Sequence, residues 1–164
     1  HKGTCYLRLG RGGERRIHKS IPDFRIGKAI LIRDSRKESR KNITVYSTGA
    51  ILDEVCDACA LLEAKGIGVI QYSFPTVKPI DRETILKCAE ETEAVFTVEE
   101  HNIMGGFGSA VAEVMAEAGT GSPLYRIGMH DEYCEKVGDQ KYLRNEYGLS
   151  AARIEEYILK KING

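Results

Sequence analysis

The chain has 164 residues, 42% hydrophobic and 29% charged, which suits one domain with a real hydrophobic core. Its 24 Lys and Arg balance 24 Asp and Glu, so it lacks the field expected of a general nucleic-acid or anionic-membrane binder. No apolar run reaches the length of a membrane span, and the first residues, HKGTCYLRLGR, carry no apolar signal core. Five cysteines, an odd number in a chain too large for a small secreted scaffold, point to reduced thiols in a cytoplasmic protein. A chain opening on His1 rather than Met suggests a fragment, a processed chain or a tag remnant.

In chain order, residues 4–9 (TCYLRL) read as a strand with nothing before it to pair with. Its open ladder groups suggest the tail of an earlier domain, residues 1–9. Residues 10–27, rich in Gly and alternating charge, read as a linker, and the main domain spans 28–164. KAILIR (28–33) and ITVYS (43–47) are strands separated by a short polar turn, which would let them pair antiparallel. Residues 48–65 read as a helix, with Ile51, Leu52, Val55, Cys59 and Leu62 at three- and four-residue steps and Gly66 as the stop. GVIQYS (68–73) is a strand, Asp81 caps a helix running to about Glu91, and AVFTVEE (94–100) is the next strand. A helix follows over about 106–118, then the strand PLYRIG (123–128), then a final helix capped by Ser150. Strands separated by helices imply a parallel sheet covered on both faces. The expected fold is therefore α/β: a three-layer α/β/α sandwich around a five-stranded mixed sheet, its first strand antiparallel.

Several motifs could carry chemistry. GGFGSA (105–110) follows a strand and opens a helix, where free N–H groups can hold a phosphate or where glycine allows tight helix–strand packing. Glu99, Glu100 and His101 end the strand before it, at the edge where open α/β sheets place ligands. They suit acid–base work or an ion pair across an interface, and a metal is not expected because there is no HExxH spacing. Cys56 and Cys59 have C-x-x-C spacing but fall inside a helix without redox context, so Cys59 reads as core. Arg11, between Gly10 and Gly12 after a strand, suits a bidentate grip on a phosphate monoester, with a plain surface Arg as the alternative. No complete catalytic constellation stands out.

The ordered set GKAILIR (27–33), ITVYSTG (43–49), AKGI (64–67), TVKPID (76–81), FTVEEHNIMGGFGSAVAE (96–113) and YRIGMHDEY (125–133) resembles the C-terminal region of transketolase-like enzymes. That resemblance implies the fold just described and a parent enzyme of the pentose phosphate pathway that uses thiamine diphosphate and magnesium for ketol transfer between sugar phosphates. It implies that residues 1–9 are the last strand of a pyrimidine-binding domain. The missing pyrimidine- and diphosphate-binding domains would be partners, on the same chain or another subunit, in a homodimer or heterotetramer. This chain would supply no catalytic, cofactor or metal residue and would be inactive alone. Arg11 matches the Arg that contacts the substrate phosphate, and Glu99, Glu100, His101, Gly105 and Gly106 match a structural or interfacial motif. Deoxyxylulose-phosphate synthases and 2-oxo acid dehydrogenase beta subunits share this domain and are the alternatives. An independent phosphate- or nucleotide-binding module and a non-catalytic assembly domain are readings of another class.

Overall fold

The computed structural model describes residues 2–10, 12–38 and 41–164. Five strands form one sheet: β1 (Ile30–Asp34), β2 (Asn42–Thr48), β3 (Gly68–Ser73), β4 (Ala94–Asn102) and β5 (Leu124–Met129), in the order β1-β3-β2-β4-β5. β2 runs parallel to β3 and β4, and β4 parallel to β5, while β1 alone is antiparallel. The mixed sheet and its antiparallel first strand are as the sequence predicts.

The partner of β1 is not. β1 pairs with β3, with Arg33 opposite Gln71, and not with β2 across the short turn. β2 is buried along nearly its whole length, and both its edges are taken by parallel neighbours. The turn after β1 instead wraps the start of β3: Ser35 N donates to Val69 O at 2.9 Å and Gly68 N donates to Lys41 O at 2.8 Å. A short polar turn permits a hairpin, but here it carries the chain past an intervening strand.

Helices cover both faces. A 3-10 turn over Gly49–Ile51 leads into α1 (Leu52–Ala64), so the expected single helix begins more tightly wound than an α-helix. α1 and α5 (Ala151–Asn163) pack on one face, where Val45, Phe96 and Val98 meet Val55, Leu62, Ile154 and Ile158. α2 (Arg82–Glu91) and α3 (Phe107–Ala118) cover the other, where Tyr46, Ile70 and Phe74 meet Ile85, Phe107 and Val111. Each face turns its apolar stripe inward, the condition for a layered α/β core. Asp81 caps α2 by accepting from Thr84 N. Ser150 occupies the N-cap of α5, but its side chain does not cap: Ala151 N donates to Glu54 Oε2 at 2.7 Å instead.

Two segments depart from the sequence expectations. α4 (Gln140–Glu146), capped by Asp139, lies in a stretch that carries no apolar stripe. Residues 2–10 make no helix or strand here, and Tyr6, Leu7 and Leu9 are exposed.

Candidate functional site

The carboxyl end of β4 and the turn into α3 carry Glu99, Glu100, His101, Gly105 and Gly106. Glu99 is buried at 2% exposure. Its Oε2 accepts from Phe107 N at 2.6 Å and its Oε1 from Gly108 N at 2.8 Å. The start of α3 is held in place because Phe107 is itself buried, its ring 5.1 Å from that of Phe74. The first N–H groups of a helix have no partner within it and carry partial positive charge, so they attract an anion. Here that anion is the protein's own carboxylate.

The glycines make the approach possible. A Cβ on Gly106 would lie 2.2 Å from Glu99 Oε2 and 2.5 Å from Asn102 O. One on Gly108 would lie 2.5 Å from Thr97 Oγ1. The loop between strand and helix is then tied from the next strand. Arg126 Nη1 donates to Ile103 O at 2.7 Å and to Ser109 Oγ at 2.9 Å, and Gly105 N donates to Ser109 Oγ at 3.1 Å.

The next residue along faces a different environment. Glu100 accepts from Arg144 Nε at 2.7 Å and from Gln140 Nε2 at 3.2 Å. Arg144, 7% exposed, also donates to Asp53 Oδ1 at 3.1 Å and to Ala50 O at 3.0 Å, with Glu54 3.7 Å away. Burial lowers the guanidinium's basicity, but the hydrogen bond to Glu100 and the charges of Glu100, Asp53 and Glu54 outweigh it and raise it. His101 is exposed, with Nδ1 3.0 Å from Asn102 O. The structure therefore separates the three consecutive residues: Glu99 serves a helix start, Glu100 holds α4, and His101 faces outward.

A family model described as the transketolase C-terminal domain matches residues 34–154. The chain belongs to the transketolase family. This transketolase C-terminal domain is 38% identical over 154 residues to a 6-deoxy-6-sulfo-D-fructose transketolase subunit of Clostridium sp. (strain MSTE9), covering 94% of this chain and 46% of that protein. It is 34% identical over 157 residues to an apulose-4-phosphate transketolase subunit of Actinobacillus succinogenes, covering 96% of this chain and 49% of the other. A 1-deoxy-D-xylulose-5-phosphate synthase of Heliobacterium modesticaldum is 36% identical over 138 residues, 84% of this chain and 20% of that one. The chain thus spans about half the length of its transketolase-subunit relatives. Among solved structures, one titled split gene transketolase, inactive beta4 tetramer, superposes with a TM-score of 0.83 at 33% identity, covering 94% of this chain and 48% of that one. These relatives are transketolase-type transferases, and members of the family depend on thiamine diphosphate.

Several residues of this transketolase C-terminal domain were not singled out by sequence. Arg144 and Asp53 lie 91 residues apart, and Arg126 lies 17 from Ser109, with no spacing pattern to link either pair. Asp139 three residues before Tyr142 was the available signal for α4, since it accepts from Tyr142 N at 2.8 Å. Cys56, Cys59 and Cys88 are buried free thiols, and burial pushes the basicity of each thiolate up, away from the range of a reactive cysteine. Arg11 lies outside the described residues. Among the described residues, no three His, Cys, Asp or Glu side chains converge as a metal site, and no helix is long and apolar enough to cross a membrane.

Proposed function

We propose that the chain is the C-terminal domain of a thiamine-diphosphate-dependent transferase that moves a two-carbon ketol unit between sugars bearing an anionic end. Its share is assembly and the shape of the substrate channel, and Arg11 contributes a contact to the substrate phosphate. Residues 1–9 would complete a preceding pyrimidine-binding domain, with 10–27 as the connection to 28–164. The pyrimidine- and diphosphate-binding domains, on the same chain or a partner subunit, would supply the cofactor site in a homodimer or heterotetramer working in the cytoplasm. The names of two relatives specify a sulfonated and a phosphorylated sugar, which supports a substrate with a charged terminus.

One observation carries this division of labour: Glu99 occupies the start of α3, where the glycine-rich loop would otherwise offer N–H groups to a phosphate. The described residues also offer no cluster of metal ligands. No catalytic step is assigned to them. The motif Glu99, Glu100, His101, Gly105 and Gly106 takes a structural role, with exposed His101 at an interface. The related structure titled an inactive tetramer of beta chains supports inactivity of the chain alone.

The test is calorimetric titration of thiamine diphosphate with magnesium into the folded chain, and then into the chain assembled with the missing domains. No heat from the first and saturable binding with ketol transfer from the second are expected. One-to-one binding by the chain alone would overturn the reading. The match to deoxyxylulose-phosphate synthase supports a second reading, in which pyruvate rather than a ketose is the donor. Assaying the assembled enzyme with both donors separates the two.

A further inference from the structure

Two lightly packed segments are fastened to one place, the 3-10 turn and first turn of α1, residues 49–54. The first segment is a strap over residues 12–27, where Ile17, His18, Pro22 and Gly27 are half-buried and the rest exposed. Arg15 holds it: Nη1 donates to Asp57 Oδ2 at 3.1 Å, and Nη2 donates to Asp57 Oδ1 at 2.8 Å and to Asp53 O at 3.1 Å. The second segment is α4 with the stretch before it. Residues 130–142 are exposed throughout, and within α4 only Arg144 is buried. Its guanidinium donates to Asp53 Oδ1 at 3.1 Å and to Ala50 O at 3.0 Å, besides Glu100.

Asp53 is the shared residue: the strap grips its carbonyl and α4 grips its carboxylate. Asp53 Oδ1 also accepts from Glu54 N at 2.8 Å, so the carboxylate moves with the backbone of this turn. Exposed ion pairs usually contribute little, and Arg15 and Asp57 are about half exposed, at 49% and 55%. A fork-to-fork pair with a backbone acceptor on the same helix is the exception, because it fixes direction as well as distance. The place it steadies is a helix start, whose first N–H groups lack partners within the helix, entered through Gly49 at φ +76°.

We propose that α4 is a latch that the strap holds shut: Arg15 steadies the start of α1, and the start of α1 presents Ala50 O and the Asp53 carboxylate to Arg144. α4 is the element with two states, docked and undocked, because its one buried side chain is the one these acceptors hold. Releasing Arg15 lets the start of α1 fray, and Arg144 then keeps only Glu100 in its full geometry. The coupling is reciprocal, as any coupling between two binding events must be. Whatever engages the strap therefore acts on residues 130–149 without touching them.

The test is native-state hydrogen exchange on the 164-residue chain, read at Leu143, Tyr147 and Leu149, whose N–H groups donate to Asp139 O, Leu143 O and Arg144 O. Arg15→Ala should raise exchange at these amides roughly threefold to fivefold and leave β2 and β4 within about 1.5-fold. Arg15→Lys keeps the charge but loses the fork, and should move the same amides in the same direction. In an Arg144→Ala background, where the latch is already open, Arg15→Ala should add nothing at these amides. Arg82→Ala removes an exposed ion pair to Glu117 on the opposite face of the sheet and should leave them unmoved. The proposal is overturned if Arg15→Ala leaves the α4 amides unchanged, or if β2 and β4 lose protection to the same extent. It is equally overturned if Arg15→Lys behaves as the parent, if Arg82→Ala opens α4 as much, or if the Arg15 and Arg144 effects add in full.

Discussion

Glu99 and Arg144 are both buried charges at the carboxyl end of the sheet, and they are satisfied in opposite ways. Glu99 takes two backbone N–H groups eight and nine residues further on. Arg144 takes side chains and a carbonyl 44, 91 and 94 residues away. The first arrangement is local, built of backbone that cannot move off without unwinding α3. The second is assembled from three parts of the chain, and its carboxylates keep access to water, with 25% exposure at Asp53 and 27% at Glu100. Removing a charge therefore leaves very different remainders: buried N–H groups with no partner in one case, and carboxylates that can hydrate in the other.

That comparison can be broken by substitution. Glu99→Ala should show the largest loss, about 3 kcal/mol in urea unfolding, because two buried donors lose a charged acceptor. Gly106→Ala attacks the same junction from the backbone side and should cost about 2 to 3 kcal/mol, since the new methyl would overlap Glu99 and Asn102 O. Arg144→Ala should cost less, about 2 kcal/mol, and hydrogen exchange should show α4 opening while the sheet stays protected. A larger loss for Arg144→Ala than for Glu99→Ala would reverse the comparison.

Asp81 gives the smallest effect and the one with a pH signature. Burial pushes its carboxyl up, but Ala29 N, the Thr84 hydroxyl and N–H, and Lys28 together hold it below the usual carboxylate range. Its charge therefore stabilises the fold above the ordinary value near ~3.9, and that contribution disappears as the pH falls through the lower folded value. Asp81→Ala should cost about 1 to 2 kcal/mol at pH 7. The gap between variant and parent should close in acid, and a gap that stayed constant to low pH would contradict the assignment.

The same contrast explains what could be read in advance. Glu99 and the glycines at 105, 106 and 108 stand within ten residues of one another, and a strand end, a carboxylate and a glycine-rich helix start are a recognisable local pattern. The pattern did not say that the carboxylate would fill the anion site; burial of Phe107 against Phe74 decides that. Arg144 gave no such signal, because its partners are far away in sequence and α4, seven residues long, shows no stripe to register. The Arg15–Asp57 pair, 42 residues apart, was equally silent.

By itself the sequence determined the order of the five strands, of the four helices other than α4, and the layered class. Apolar spacing and cap residues act over a few positions and are written directly into the chain, as β3, α2 and the glycine after α3 show. Tertiary structure alone decided which edge β1 joins, which carboxylates Arg144 gathers, and what α3 holds at its first turn. Each of those depends on which surfaces are left open once the buried strands have paired, and that competition between distant groups leaves no local trace.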